Sequence, residues 1–481
     1  MLFSRRPSIR GAFLVIAALC ICYGVFFGPA LPSTYHKDWS SFEVSWSQSQ
    51  TASPVQAEDS SHAAPPSSTL SCGNAPGMHD IVLVIKTGAT EVEEKLPIHF
   101  STTMDCFPNV LIFSDYGETV DGHVIHDALD NITENIRMTH PDFELWRRLR
   151  EKGRADLRPE ELSEANKIEN PSNPTGNSDS IGWRVDRFKN LPMLGKALAL
   201  KPDAKWFIFA DADTYISWSN LLQWVEQLDH TKPIYSGSGA AYTSDDEFQQ
   251  IFAHGGSGYL VSSAAMKAGA DHYAQNQEYL DNAALNHFYG DVVLATMFEH
   301  SLDIPLTWAF PMTQGGDPML MDFAEISYDK KLWCFPAVSY HHLTPTTLKE
   351  IWELEQDWVA SHTKNHEPLR HSDVFKQWLL PKLKSQDVRT DWDNHADHTE
   401  NADVHEYEAC RQICELNWQC MQYRYSPNSG LCRTFDKVMV GTPDDKGVGV
   451  VSGWNLQHID RFFDGFDSCD GGENEGRWIT E

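Results

Sequence analysis

The apolar run Trp206-Phe207-Ile208-Phe209-Ala210, closed by Asp211-Ala212-Asp213, constrains this chain more than any other feature. Aromatic and branched residues in a short unbroken run read as a buried strand. Residues two apart on an extended segment project to the same side, so both carboxylates face one point. A doubly anionic, oxygen-only pair suits manganese or magnesium, which commonly take further ligands from phosphate oxygens and water. A bare Asp-x-Asp also occurs in solvated turns, and the context separates the two cases. Thr214-Tyr215-Ile216 and the amphipathic stretch Asn220 to Leu228 follow. The aspartates therefore stand at the carboxyl end of a strand and ahead of a helix, where open α/β sheets place their ligands.

The rest of the chain supplies the sheet. Ile81-Val82-Leu83-Val84-Ile85 leads into Lys86-Thr87-Gly88, a loop able to approach a ligand closely. Val110 to Phe113 forms a second strand ending at Ser114-Asp115, and a third surrounds Val124 and Ile125. Strand, crossover, strand is the rhythm of a parallel α/β sheet. No Gly-x-Gly-x-x-Gly follows the first strand, which argues against a dinucleotide site. Residues 135–182 are a polar surface excursion, with a charged helical stretch from Phe143 to Lys152 and the loop Asn170-Pro171-Ser172-Asn173-Pro174-Thr175-Gly176. From Gly182 to Leu194 the apolar spacing fits a helix on the sheet, with Lys189 either reaching a phosphate or lying on a solvated face.

Three further motifs follow. His254-Gly255-Gly256-Ser257-Gly258-Tyr259 is a glycine-dense turn entering a strand, whose amides can line an acceptor or phosphate site. Asp291 opens an apolar helix, a position that suits an N-cap as well as a catalytic carboxylate. Phe335 to Leu343 reads as a short strand ending in the pair His341-His342, one imidazole of which would complete the shell begun by Asp211 and Asp213.

The 481 residues suffice for two or three domains. A formal net charge of −30 leaves no basic stripe for nucleic acid. Arg5, Arg6 and Arg10 precede an apolar stretch of about 17 residues, Gly11 to Phe27. We expect a cytoplasmic tail (1–10) and a signal-anchor helix (11–31) of the short kind that matches early secretory membranes. A cleaved signal peptide is the competing expectation, kept open by Ala30 and Ser33. A Ser-, Thr- and Pro-rich stem (32–75) follows. Of ten cysteines, Cys20 and Cys22 lie in the apolar stretch, and the eight beyond it imply disulfides in an oxidising compartment. The sequon Asn131-Ile132-Thr133 agrees.

Taken in order and spacing, Trp206 to Tyr215, His254 to Tyr259, Gly290-Asp291-Val292 and Val338 to His342 resemble glycosyltransferase family 31, the inverting beta-1,3 group that includes Fringe and the core 1 galactosyltransferases, in its fungal-type form. The resemblance spans about residues 76–375 and implies a GT-A-type α/β nucleotide-sugar-binding domain, bounded at 76–384. It implies that Lys86, Thr87, Gly88, Ser114 and Asp115 contact the nucleotide. It also implies that Asp211, Asp213 and His341 hold the metal, and that Asp291 is the catalytic base. Lys189, Asp211, Gly255 and Gly256 complete the expected substrate-binding set. Gly290 stands where many members carry Glu, and Ala212 where many carry a middle Asp. The implied cofactor is manganese, with magnesium the alternative. The implied partners are a UDP-sugar, a glycan or glycoprotein acceptor and the Golgi or ER-Golgi membrane, with the catalytic domain luminal. Trp308 and Phe310 offer faces for sugar stacking, although aromatics in such a setting commonly serve the core.

After an acidic linker (385–404), the cysteines at 410, 414, 420 and 432 resemble a small α+β PAN/Apple module (405–472), a fold that binds proteins or glycans. That resemblance implies Cys410 pairing with Cys432, and Cys414 with Cys420. If Cys72 then pairs with Cys106, Cys334 and Cys469 remain for a bond between module and catalytic domain. Two other functions are weighed: an adaptor built on a decayed transferase, and a metal-dependent hydrolase, for which the sequence offers no nucleophile constellation.

Overall fold

The computed structural model describes residues 72–162, 180–243, 248–287, 289–362, 366–444, 449–466, 468–469 and 476–480. The expected tail, anchor and most of the stem lie outside these residues, as does the loop Asn170 to Gly176. Among the described residues, no helix is long and apolar enough to cross a membrane.

An eight-stranded sheet organises the chain. Its strands are β1 (Ile81–Lys86), β2 (Val110–Ser114), β3 (Glu118–Val120), β4 (His123–Asp127), β5 (Trp206–Asp211), β6 (Tyr235–Gly237), β7 (Tyr259–Ser262) and β8 (Leu306–Trp308). The spatial order is β8-β6-β7-β5-β1-β2-β4-β3. β1 runs parallel to both β2 and β5, whereas β7 runs antiparallel to β5 and β6. Strand alternation divides the apolar residues between two faces. Val82, Val84, Leu111, Phe113, Phe207 and Phe209 enter one core, and Ile81, Leu83, Ile85, Ile112, Trp206 and Ile208 enter the other. A strand buried on both faces explains why these runs read as continuously apolar. Each fully buried side chain of this size contributes about 1.5–3 kcal/mol.

The parallel register matters for the site. Lys86 lies opposite Asp211 and Phe113, so the ends of β1, β2 and β5 open on one edge. The stretch expected as one helix from Gly182 to Leu194 is two, Ile181–Asp186 and Asn190–Leu200, and the break at Arg187 to Lys189 turns Lys189 inward.

The C-terminal region has its own five-stranded sheet, with strands Val388–Thr390, Thr399–Asn401, Gln422–Ser426, Leu431–Phe435 and Val451–Trp454, and the helix Tyr407–Leu416 packed on it. Residues 385–404, expected as a linker, thus contribute two strands of that sheet. Their polarity is that of exposed sheet edges, which hydrophobic patterning does not mark. Bonds join Cys72 to Cys106, Cys410 to Cys432, Cys414 to Cys420, and Cys334 to Cys469. The last links the region to the segment before His341. Trp333 stacks on Phe463 there, Phe375 meets the same ring at a tilt, and Val440 and Gly441 donate backbone N–H groups to the Met319 carbonyl.

Candidate active site

Asp211 ends β5 and Asp213 lies just past it in a tight turn, where Thr214 N–H donates to the Asp211 carbonyl. The next residues, Tyr215–Ile216, pair antiparallel with Ser339–Tyr340, with Tyr215 opposite Tyr340. That pairing carries His341 to the aspartates from a distant part of the chain. His341 Nε2 lies 3.1 Å from Asp213 Oδ1 and 3.9 Å from Asp211 Oδ2. Leu343 N–H donates to the Asp213 carbonyl and closes the corner. Behind it, the buried Glu355 carboxylate accepts from the Tyr215 hydroxyl, from the Ser217 and Ser219 hydroxyls at 2.6 Å each, and from Ser219 N–H at 2.9 Å.

Two lysines hold the acids. Lys86 Nζ pairs with Asp186 and lies 3.3 Å from Asp211, and Lys95 Nζ lies 3.0 Å from Asp213 and 2.8 Å from Glu91. The neighbours divide the carboxylates. Burial pushes Asp213 up, but Lys95 and His341 outweigh it and hold the group well below the usual carboxylate range. Burial raises Asp211 to about 6 against the pull of Lys86. Burial would lower His341, yet its ion pair with Asp213 raises it, whereas burial and the charge on His341 push His342 down to about 4.

The turn His254 to Gly258 joins this group to Asp291. Gly255 N–H donates to Asp291 Oδ2 at 2.9 Å, and Asn190 Nδ2 donates to Oδ1 at 2.6 Å. A Cβ on Gly255 would meet both carboxylate oxygens at 2.8 Å, and one on Gly256 would overlap the His341 ring. Consecutive glycines thus let one turn press against the aspartate on one side and the histidine on the other. Thr214 Oγ1 donates to the Gly256 carbonyl at 2.7 Å and fastens the turn to the Asp213 corner. The helix Gly290–Thr296 has Tyr289 as its N-cap, so Asp291 sits in the first turn and its carboxylate reaches across to other elements instead of capping its own. Burial raises its pKa, opposed by Lys86 and by the Gly255 bond. Gly290 has a packing reason: a Cβ there would lie 2.7 Å from the Arg187 carbonyl and 3.0 Å from the Asn190 amide.

The expected nucleotide-side residues surround the same edge. Gly88 accepts from Glu91 and Val92 N–H, and Thr87 N–H donates to Phe113. Asp115 Oδ1 accepts from Ala89 N–H at 2.6 Å and from Ser114 Oγ at 3.0 Å, while its Oδ2 is buried with no hydrogen-bond partner among the described residues. Lys189 lies on neither a solvated face nor an open phosphate approach. Its ammonium is buried and donates to the Thr87 carbonyl at 2.7 Å, 3.1 Å from Asp186. Trp308 and Phe310 are half-buried and meet the exposed Tyr328 edge-on.

The donor set fits a divalent cation. Asp213, His341 and His342 each offer a ligand atom within 4.8 Å of the others, and His341 Nδ1 and His342 Nε2 are buried without hydrogen-bond partners among the described residues. Sequence reasoning did not single out Lys95, Asn190 or Glu355. Lys95 and Asn190 carry no local signal beyond a charge or an amide in a helical stretch.

Comparison with known families gives one finding. A model of the Fringe family, described as Fringe-like, matches residues 155–347, which hold Asp211, Asp213, Gly255, Gly256, Asp291 and His341. No curated protein matches significantly. Residues 155–347 are thus similar to the Fringe family, and that likeness suggests a glycosyltransferase.

Proposed function

We propose that the chain is an inverting glycosyltransferase that moves a hexosyl or N-acetylhexosaminyl group from a UDP-sugar to a hydroxyl of a glycan or glycoprotein, by the family's habit in beta-1,3 linkage. The observation that carries this reading is the meeting of Asp213, His341 and Asp291 around Gly255-Gly256, from four separate stretches of chain. Asp291 accepts the proton of the attacking hydroxyl. The hydroxyl oxygen bonds to the anomeric carbon as the bond to the β-phosphate oxygen breaks, and UDP leaves with that electron pair. A single displacement inverts the centre. Gly255 N–H and Asn190 aim the Asp291 carboxylate, and its raised pKa makes it a stronger base than a solvated carboxylate. Asp213 and His341 would hold a divalent cation, proposed as manganese with magnesium the alternative. Such a cation, when bound, offsets the charge of the departing diphosphate.

Lys86, Thr87, Gly88, Ser114 and Asp115 form the nucleotide side in this reading, with Asp115 Oδ2 free to accept from a ligand. Lys189 contributes by fixing the Thr87 carbonyl and Asp186. A luminal Golgi or ER-Golgi setting on an N-terminal anchor is part of the proposal, as is a PAN/Apple-like binding role for the C-terminal region. The four disulfides agree with an oxidising compartment.

The test is a panel of UDP-sugars assayed for hydrolysis and transfer, with manganese and with chelator, for wild type and Asp213→Ala. The reading expects turnover with one donor, lost in the variant. Equal, trace turnover in both proteins for every donor would favour the adaptor function.

A further inference from the structure

We propose that His342 is a third ligand beside Asp213 and His341, giving a site of two imidazoles and one carboxylate that selects a nitrogen-tolerant transition cation over magnesium. The inference rests on the cation-assisted reading above but adds a claim that reading does not need.

Adjacent residues of an extended chain point to opposite sides, so neighbouring histidines ordinarily cannot serve one ion. His342 departs from that rule. Its φ is +60°, in the left-handed region that non-glycine residues enter sparingly and often at functional sites. The turn brings its ring onto that of His341, with centroids 3.8 Å apart and planes 30° from parallel. The same geometry puts ligand atoms of Asp213, His341 and His342 within 4.8 Å of one another. Donors on adjacent vertices of a first-row cation lie about 3 Å apart, given metal–ligand bonds of about 2.1 Å. Asp213 and His341 already stand at 3.1 Å, so only His342 has to close in.

Other buried histidines of this chain behave differently. His99 bonds Thr103 and the Ala212 carbonyl through its two nitrogens, and His371 bonds Tyr340 and the Pro311 carbonyl. His342 Nε2 is buried and has no such partner among the described residues. Asp211, by contrast, is held by Lys86 at 3.3 Å and stands 3.9 Å from His341, which suits support of the ligand set better than membership in it. Imidazole nitrogen favours first-row transition ions, whereas magnesium demands oxygen and rigid octahedral geometry. The selectivity follows from the second histidine.

The experiment uses the full chain with its disulfides intact, stripped of metal by chelator. Manganese and magnesium affinities are measured by equilibrium dialysis, and bound manganese is examined by pulsed electron paramagnetic resonance for couplings to nitrogen. His342→Asn is the main variant, because asparagine tolerates the left-handed backbone, and an unchanged melting temperature establishes that it folds. Wild type is expected to bind one manganese with two nitrogen couplings and to bind magnesium much more weakly. His342→Asn should show one coupling and an affinity lower by about tenfold or more, since even outer partners of a ligand cost 10–100-fold when removed. A single coupling in wild type, or an unchanged affinity in His342→Asn, overturns the proposal and leaves the transferase reading intact. Magnesium bound as tightly as manganese overturns the selectivity. If wild type binds no cation, the proposal and the cation-assisted part of the function both fall, and turnover with UDP-sugars alone then decides whether the chain is a transferase.

Discussion

The eight-stranded sheet and the C-terminal region keep their order by different means. The sheet is covered on both faces by large apolar clusters, and the edge of those layers carries Lys86, Asp211, Asp213 and Asp291, a set of charges that folding alone would not favour. The small cluster beneath the helix Tyr407–Leu416 has seven buried residues, four of them half-cystines. A core of that size gains much of its stability from cross-links that limit the unfolded chain. The lesson is that the chemistry sits where apolar burial is abundant, and sulfur serves where it is scarce.

That contrast can be broken in several ways. The largest expected effect is that of Asp291→Asn, which removes the proposed base. Transfer should fall by about 10²–10⁴-fold, the usual worth of general base catalysis, in a steady-state assay. Asp291 has a raised pKa in the folded state, so its protonated form is the one folding favours, and the associated stability is lost as pH rises through that pKa. The variant loses that buried charge but also one of the two bonds from Gly255 N–H and Asn190, since an amide nitrogen cannot accept, so it should melt near the wild-type temperature at neutral pH while activity is lost.

Next is Gly256→Ala. The added methyl overlaps the His341 ring, and a shift of about 1 Å in a site can cost 10²-fold. Transfer and cation binding should both fall, measured by assay and dialysis, with the disulfide-rich region untouched. The third prediction concerns that region. Replacing Cys410 and Cys432 together by Ser should lower stability by about 3 kcal/mol in denaturant unfolding, with kcat unchanged at temperatures below the transition. Loss of kcat without unfolding would mean that the region contributes directly to catalysis, and the division drawn above would fail.

The smallest effect is on pH dependence. A base held above the usual carboxylate range must lose its proton before it works, so transfer should rise with pH through a limb above that range. The limb should be absent from the residual activity of Asp291→Asn. A limb that persists there belongs to another group.

Much of this architecture is local and hence legible in sequence. The β1, β2 and β5 runs, the glycine turn and the four motifs each announce themselves within about ten residues, because strand burial and turn chemistry act at short range. Residue chemistry suggests that one of His341 and His342 joins Asp213, and the family resemblance singles out His341, but the contact itself depends on the long-range pairing of Tyr215–Ile216 with Ser339–Tyr340. Lys95, Asn190 and Glu355 were invisible for a related reason. Each acts on a residue about one hundred or more positions away, and a helical lysine, asparagine or glutamate looks like a surface residue until its partner is known. Residues 385–404 read as a linker because polar edge strands carry no hydrophobic pattern to distinguish them from one. The burial of Lys189 is not legible because the apolar spacing does not mark the break between Ile181–Asp186 and Asn190–Leu200 beside which it lies.

The central claim is that two acids divided by one glycine turn have separate duties, Asp213 toward the cation and the leaving nucleotide, Asp291 toward the acceptor hydroxyl. Calorimetric titration of UDP with manganese into Asp213→Ala and Asp291→Asn tests it most directly. The account predicts near wild-type UDP affinity for Asp291→Asn and a loss of binding for Asp213→Ala. Equal affinity in both variants, or the reverse order, would contradict it.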